Sequence, residues 1–313
     1  MVKIGIDIMG GDFAPLTTLE GVAGVLHRLD PFSQIHLIGN EEVISRFLEK
    51  ERIADNRLVI VAASEVIEMG ENPVRAFQQK PDSSLAVGYR LLASKQIDVL
   101  ASAGHSGAVM VGAMHALKPI EGILRPCVAS AFPMPGGGKN VLLDVGINVD
   151  CKPEMLLQFA RLGEVYARGV LDIKKARVGL LNTGSEKSKG SILYQKAHEL
   201  LQQEEGINFI GNIEPRDFFD GNADVTVCDG FTGNIVLKQT EGFYKLLQQR
   251  KVKDDYLSLF NYEQYGGTPV LGVNGNVLLG HGVSSALAIS NMILASEKVA
   301  SADLAQHIKK AFQ

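Results

Sequence analysis

The sequence predicts an α/β fold, a sheet with helices on both faces. Three observations predict it. Short β-rich runs alternate with helix-period stretches from end to end of the 313 residues. Those runs are continuously apolar, not alternating, as strands buried on both faces are. Glycine is abundant at 33 residues and collects where the runs end.

Candidate strands occupy 2–8 (VKIGIDI), 34–39 (QIHLIG), 57–62 (RLVIVA), 98–102, 128–132, 140–145 (NVLLDV), 176–181, 207–211, 224–229 (DVTVCD) and 276–280. Their Val, Ile and Leu content suits a pleated, buried surface. Helical stretches at 17–29, 41–50, 82–94, 153–168, 190–204, 233–249 and 283–300 lie between most of them. The stretch at 283–300 is apolar around most of its circumference, which places it centrally. Residues 248–255 (QQRKVKDD) are the most polar segment, either a solvated helix end or an exposed excursion. No composition shift marks a boundary, so the chain reads as a single domain, 1–313.

Bulk properties narrow the function. Net charge is −4 and the pI about 6.0, so nothing general attracts the chain to nucleic acid. Cys127, Cys151 and Cys228 are scattered and odd in number, which fits a reducing cytosol better than a disulfide framework. The opening MVKIGIDIMGG carries Asp7 in a short apolar stretch and is no signal peptide. Residues 99–117 and 264–296 are free of charge and long enough to span a bilayer. Both hold histidine, serine and turn-forming glycines, so they read as buried strand–turn–helix units.

The strand exits resemble one another. IDIMGGD (6–12), ASAGHSGA (101–108), DVGIN (144–148), NTGSEKSKG (182–190), CDGFTGN (228–234) and GHGVSS (280–285) each end a β-run with glycine beside Asp, Asn, Ser, Thr or His. In an α/β sheet, ligands sit outside strand ends, where helix starts present free N–H groups. Glycine admits close backbone approach to an oxyanion. Together these turns point to a polar, anion-friendly site.

No nucleotide motif fits. GxGxxG does not follow the first strand, and PGGGKN (135–140) lacks the outer glycine of a Walker loop. Cys228 at a strand end is either a thiolate nucleophile or a small core residue. Asp7, Asp12, Asp144 and Asp229 either gather a divalent cation or cap helices and tie turns. His105 and His281 lie at helix starts, as site groups or structural hydrogen-bond partners. No HxxxH, CxxC or GxSxG spacing is present. In the loop 69–88, Arg75 and Lys80 precede Asp82-Ser83-Ser84, an N-cap group. Cations and hydroxyls at a helix start suit phosphate or a phosphopantetheine arm; the alternative is a surface loop with an ordinary cap.

In this order, DIMGGDFAP, MGENPVRA with KPDSS, SAGHSGAVM, LLDVGIN, NTGSEKSKG, CDGFTGNIVLK, and YGGTPVLGVNG with GHGVSS resemble the bacterial phosphate acyltransferase family of phospholipid synthesis, the acyl-ACP:phosphate transacylases. The likeness runs from residue 6 to about 290. This chain departs from the family's pattern at His105 and Ser106, where asparagine and threonine are usual. The segment between Glu241 and Tyr265 is also short, leaving a reduced helical excursion near 243–263.

The resemblance implies a three-layer α/β/α fold with one large mixed sheet, like isocitrate and isopropylmalate dehydrogenases. It implies transfer of a fatty acyl group from the acyl carrier protein thioester to inorganic phosphate, giving acyl phosphate, with no cofactor and no metal. Lys189, His281 and Asp229 become the catalytic candidates. Gly10, Gly11, Asp12, Arg75, Ser84, His105, Ser106, Asn148, Thr232 and Asn234 become the substrate-binding ones. The implied partners are acyl carrier protein, a second copy of the chain, and the acylphosphate:glycerol-3-phosphate acyltransferase at the membrane. The implied location is the cytoplasm, extending to the inner membrane face. Lys174, Lys175 and Arg177, or Arg250, Lys251 and Lys253, are candidate docking cations for the acidic carrier, or solvated faces. Two alternatives stand on the same enzymatic fold: a phosphate acetyl- or butyryltransferase using coenzyme A, and a metal-dependent hydroxyacid dehydrogenase. A carrier-binding scaffold without catalysis is the other class.

Overall fold

The computed structural model describes residues 1–313. In chain order the first elements are β1 (Lys3–Asp7), α1 (Leu16–Val25), β2 (Gln34–Gly39), α2 (Glu41–Lys50), β3 (Leu58–Ala62), α3 (Pro73–Gln79), α4 (Ser84–Ala93), β4 (Val99–Ser102) and α5 (Ser106–Gly112). There follow β5 (Cys127–Pro133), β6 (Lys139–Leu143), α6 (Pro153–Val170), β7 (Arg177–Leu181), α7 (Ile192–Gln203), β8 (Asn208–Ile213) and β9 (Val225–Val227). The chain closes with α8 (Gly230–Gln249), α9 (Asp255–Ser258), β10 (Thr268–Leu271), β11 (Asn276–Leu279), α10 (Ala286–Ser301) and α11 (Leu304–Ala311). The strands run β3-β2-β1-β4-β11-β10-β5-β6-β9-β7-β8 in a mixed sheet. β5 is antiparallel to both its neighbours, β10 and β6.

The chain divides into two compact units interleaved in sequence. The first holds residues 1–118, 263–269 and 273–303; the second holds 119–262, 270–272 and 304–313. In the first unit β1, β2, β3, β4 and β11 pair in parallel. α4 lies on one face, where Gly88 sets the helix against Leu100 and Ile38. α10 lies on the other: Gly280 comes against both Met292 of α10 and Ala103, which shares the opposite pleat from Leu100. α10 is largely buried, as its apolar circumference predicts. α1 packs against it at close range, and a Cβ on Gly21 would lie 2.5 Å from the Cβ of Ile289.

The second unit repeats the scheme. β6, β9, β7 and β8 pair in parallel. Leu143 faces α6 at Gly163. Its neighbour Leu142 points to the other face, in a core with Phe132, Val145, Leu181, Phe218 and Cys228. Val236 and Leu237 of α8 close that core. The helix contacts therefore begin at alternate strand residues, and each sheet section carries helices on both faces.

The close helix pair in the first unit gives a signed test. In Gly21→Ala the methyl would also lie 2.8 Å from the Ala286 carbonyl, a backbone atom that cannot yield cheaply. The unfolding free energy should fall by about 1–3 kcal/mol. Gly24→Ala, one turn on, meets only the Ser290 hydroxyl at 3.3 Å. It should stay within about 1 kcal/mol of wild type, helix propensity offsetting the contact. Urea titration of both variants checks the contrast.

Candidate functional site

In the first unit the exits of β1, β4 and β11 are tied into one cluster. Its centre is Asp7, 3% exposed at the end of β1. Its carboxylate accepts from the Ser102 hydroxyl (2.7 Å) and the Met9 N–H (3.2 Å). The Ser84 hydroxyl and the Gly10 N–H also reach it. Ser102 Oγ in turn accepts from Gly104 N–H at 3.0 Å. Asp12 N–H donates to the Gly282 carbonyl at 2.7 Å, joining the third loop.

This answers why residues 10 and 11 are glycine. A Cβ on Gly10 would lie 2.5 Å from Asp7 Oδ2 and 2.9 Å from both Gly104 N and Ser102 Oγ. The space is taken by the protein itself, so Gly10 serves loop packing before any ligand contact. Gly11 has φ +122°, a conformation side chains rarely adopt.

Several sequence candidates prove to be structural in their contacts. Ser84 is buried at the start of α4, its hydroxyl turned to Asp7; Ser83 supplies the cap, accepting from Ala86 N–H. Lys80 Nζ donates to Glu71 Oε2 (2.6 Å) and the Val66 carbonyl (2.7 Å). His105 caps α5: Nδ1 accepts from Gly107 N–H at 3.0 Å, and Nε2 faces the Glu71 carbonyl at 3.1 Å. Those partners fix the tautomer with the proton on Nε2. An asparagine in that place would accept from the same backbone N–H, so the imidazole of His105 acts as a helix cap. Arg75 and Ser106 are exposed, and His281 is half-buried on the β11 loop.

The second unit has a parallel cluster at the exits of β6, β7 and β9. Asp144, fully buried, accepts from Val128 N–H (2.9 Å), Asn148 N–H (2.5 Å) and Asn148 Nδ2 (2.9 Å). The Asn148 carbonyl accepts from Gly230 N–H at 2.7 Å. Asp229 caps α8, with Oδ1 accepting from Thr232 N–H and Oδ2 from the Thr232 hydroxyl. The Tyr194 hydroxyl also donates to Oδ2, at 2.5 Å. Burial pushes the Tyr194 phenol well up, so it stays a donor. Asn234 sits beside the Gly146 turn, its Oδ1 3.5 Å from where a Cβ there would stand. Lys189, on the 182–190 loop, is half-exposed with Nζ 3.9 Å from Glu186 Oε1. Asn182 organises that loop, donating to the Lys189 carbonyl and accepting from Thr183 N–H.

Asn148, Asp229, Thr232 and Asn234 thus gather in the second unit, and Gly10, Gly11, Asp12, Ser84, His105 and Ser106 in the first. Tyr194 and Ser102 are the groups sequence reading missed. Tyr194 gives no local signal, since its partner lies 35 residues on. Ser102 stood inside a quoted motif at a strand's last residue. Cys228 is confirmed as a core residue: burial pushes its thiol far up, and Sγ lies 3.7 Å from the Asp144 carbonyl. Arg177 leaves the set of docking cations, since it pairs with Asp224 through two side-chain bonds of 3.0 and 2.9 Å. Lys174 and Lys175 stay exposed.

Two tests follow. Burial raises the Asp7 carboxyl above its usual 3.8, outweighing the donors that lower it. Folded Asp7 therefore holds its proton more tightly than unfolded Asp7. That contribution is fully present below about pH 4 and is lost as pH rises through the folded-state value. The stability of wild type relative to Asp7→Asn should fall as pH rises from about 4. Urea titrations across that window check it; a difference flat in pH contradicts it. Second, His105→Ala should lower stability by about 1 kcal/mol, while His105→Asn restores most of it.

Comparisons with known proteins identify the family. The model of the family described as "Fatty acid synthesis protein" matches residues 2–307. A phosphate acyltransferase from Syntrophomonas wolfei is 41% identical over 301 residues, 95% of this chain and 94% of that protein. One from Halothermothrix orenii is 40% identical over 332 residues, covering 99% and 98%. Among solved structures, a phosphotransacetylase from Streptococcus pyogenes superposes with TM-score 0.68 at 20% identity, covering 96% and 94%. A 4-hydroxythreonine-4-phosphate dehydrogenase from Klebsiella pneumoniae gives 0.57 at 13%, covering 95% and 97%. These two share the fold, which is the dehydrogenase-like mixed sheet. With the family model matched nearly end to end and relatives near 40% identity, the chain belongs to the fatty acid synthesis protein family, as a phosphate acyltransferase.

Proposed function

We propose that this enzyme moves a fatty acyl group from the thioester of acyl carrier protein to inorganic phosphate. A phosphate oxygen forms the new C–O bond, the C–S bond breaks, and the carrier leaves as a thiol after taking a proton. The observation that carries this is the match across residues 2–307 together with relatives named phosphate acyltransferase.

The chemistry sets three tasks. Phosphate must be held against the carbonyl, and positioning supplies much of the rate. The tetrahedral oxyanion needs preset donors. The thiolate leaves readily and needs little help. Exposed Arg75, exposed Ser106 and half-exposed Lys189 are suited to phosphate. The Gly11 N–H belongs to a loop that can present a donor; the Gly10 and Asn148 N–H groups are engaged by Asp7 and Asp144, so Asn148 shapes its loop and does not offer its N–H. Thr232 and Asn234 flank the start of α8, and Asp229 acts there as a positioning group, both oxygens being engaged. His281 is assigned to proton traffic at the thiolate. Lys174 and Lys175, or Arg250, Lys251 and Lys253, all exposed, suit the acidic carrier. Leu246 and Leu259, 48% and 42% exposed, suit contact with a second copy. No helix is long and apolar enough to cross a membrane, so work with a membrane acyltransferase would be peripheral.

The deciding assay supplies acyl carrier protein thioester or acyl coenzyme A, each with and without phosphate. Acyl phosphate should form only with phosphate and faster from the carrier thioester. Preference for short acyl coenzyme A would move the reading to an acetyl- or butyryltransferase. Activity abolished by EDTA and restored by Mg²⁺ would contradict the metal-free mechanism. Lys189→Ala should lower kcat/KM for phosphate about ten- to a hundred-fold, one charge-assisted contact. A change below about two-fold would mean that Lys189 is merely a solvated partner of Glu186.

A further inference from the structure

The loop that carries Lys189 has no helix or strand of its own, and residues 185–188 are exposed. Side chains around it fix its backbone. The Glu186 carbonyl accepts from Asn212 Nδ2 at 2.9 Å and from the Lys189 N–H at 3.1 Å. Gln195 Nε2 of α7 donates to the Ser188 and Gly190 carbonyls. Asn212 is itself held from behind, its Oδ1 3.0 Å from Nδ1 of His198, a residue of α7 only 5% exposed. We infer that His198 and Asn212 are positioning residues for Lys189, fixing through the Glu186 carbonyl the place from which its ammonium meets phosphate. This rests on the phosphate acyltransferase reading.

Three observations carry this. The first is the shared carbonyl. One oxygen takes both the Asn212 amide and the Lys189 N–H, so it alone stands between Asn212 and the Lys189 backbone. A carbonyl only accepts, so the Asn212 Nδ2 faces it and Oδ1 is left for His198, whose Nδ1 then carries the proton. Every donor and acceptor from His198 through Asn212 and Glu186 to Lys189 therefore has one orientation. The second is a bulge in β8, the last strand in the sheet order. Residues three apart in an unbroken strand point to opposite faces. Phe209 and Asn212 nevertheless both reach His198, the ring edge to face at 5.1 Å and the amide by its hydrogen bond. The register explains how. Val178 pairs with Phe209 and Gly179 with Gly211, so Ile210 is an extra residue opposite β7, and Gly211 takes φ +97°. Asn212 thereby comes opposite Leu180, on the face that Val178 shares with Phe209. A bulge gives up regular pairing and re-aims a side chain, as bulges beside functional sites do.

The third is the cost of the histidine. Ala197, His198 and Leu201 make the buried face of α7. A buried imidazole is tolerated only where it is hydrogen-bonded. Leucine would fill that face without the demand, but it could not donate to Asn212.

The test is steady-state kinetics of the full-length enzyme, with phosphate varied at saturating acyl carrier protein thioester. His198→Leu keeps an apolar body and removes the donor; Asn212→Ala removes the link to the loop. Each should raise the KM for phosphate about three- to ten-fold, the effect of one hydrogen bond, with kcat changed less than about two-fold. His198→Asn, whose amide can donate from nearly the same place, should restore most of the loss. A group that merely stabilises the fold acts by the same factor whether or not Lys189 is present. In a Lys189→Ala background, Asn212→Ala should therefore add less than about two-fold. The full factor there overturns the proposal, as does an unchanged KM in both single variants. Lys189→Ala with its phosphate KM unchanged overturns it too, since there is then no contact to position. If wild type forms no acyl phosphate, the functional reading fails, and amide hydrogen exchange decides the positioning by itself. Faster exchange over residues 183–190 in both His198→Leu and Asn212→Ala supports it; unchanged exchange there overturns it.

Discussion

Each unit is organised around a buried carboxylate at a strand exit. Taking a charge out of water is expensive unless several donors replace the solvent. Asp7 draws those donors from the loop after β1, from Ser102 at the end of β4 and from Ser84 at the start of α4. Asp144 draws them from Val128 of β5 and from Asn148 in its own loop. Neither can be solvated alone, so loops from different strands are fixed together. Burial pushes both carboxyls upward despite these donors.

The glycines follow from this demand. A donor can reach a buried carboxylate only if the backbone comes within hydrogen-bond distance, and a Cβ blocks that approach. At Gly10 the blocking atoms would be Asp7 Oδ2 and Ser102 Oγ. At Gly230 they would be Asp144 Oδ2, 2.7 Å away, and Asn148 N. The two units reach the same solution with different partners. The conserved element of the design is the geometry of strand, carboxylate and glycine turn, repeated within one chain.

Much of this was legible because the signals are local. β2 and α2 have the limits that their apolar patterns predict, and the helix start at Ser83 carries its cap in the sequence, whereas α8 begins at Gly230, earlier than the 233–249 stretch predicts. β10, interrupted by Pro269, and the short amphipathic α11 escaped, the first because proline argues against a strand and the second because about two turns of period are a weak signal. β5 turns back into β6 through the short turn at 134–138, a local hairpin, whereas its pairing with β10 joins segments far apart in the chain and no local pattern encodes it. The site was legible as a set of glycine turns but not in its roles. Ser84, His105 and Asp229 look like ligands in sequence, yet contacts from distant segments turn them inward: Asp7 to Ser84, Glu71 to His105, Tyr194 to Asp229.

That inward turning fits the chemistry. A hydrolase needs a base to make a nucleophile from water. Phosphate is already anionic at neutral pH, and a thiolate departs without strong acid assistance. Acyl transfer between them therefore asks for donors in fixed places more than for a free carboxylate or imidazole. The aspartates can be spent on holding loops rigid, and rigidity is what makes N–H groups effective toward a developing oxyanion, since no reorganisation is then needed as charge forms. The exposed cations can remain mobile, because an anionic substrate arriving from solvent is met by flexible point charges before it is fixed. On this view, loss of a tying group such as Tyr194 or Ser102 should act on kcat through loop placement, whereas loss of Arg75 or Lys189 should act on the KM for phosphate. Tyr194→Phe, which keeps the ring and removes the hydroxyl that donates to the Asp229 carboxylate and accepts from its N–H, is the cleanest separation of the two. It should lower kcat several-fold with the KM for phosphate nearly unchanged; a change confined to KM would place Tyr194 among the substrate contacts instead.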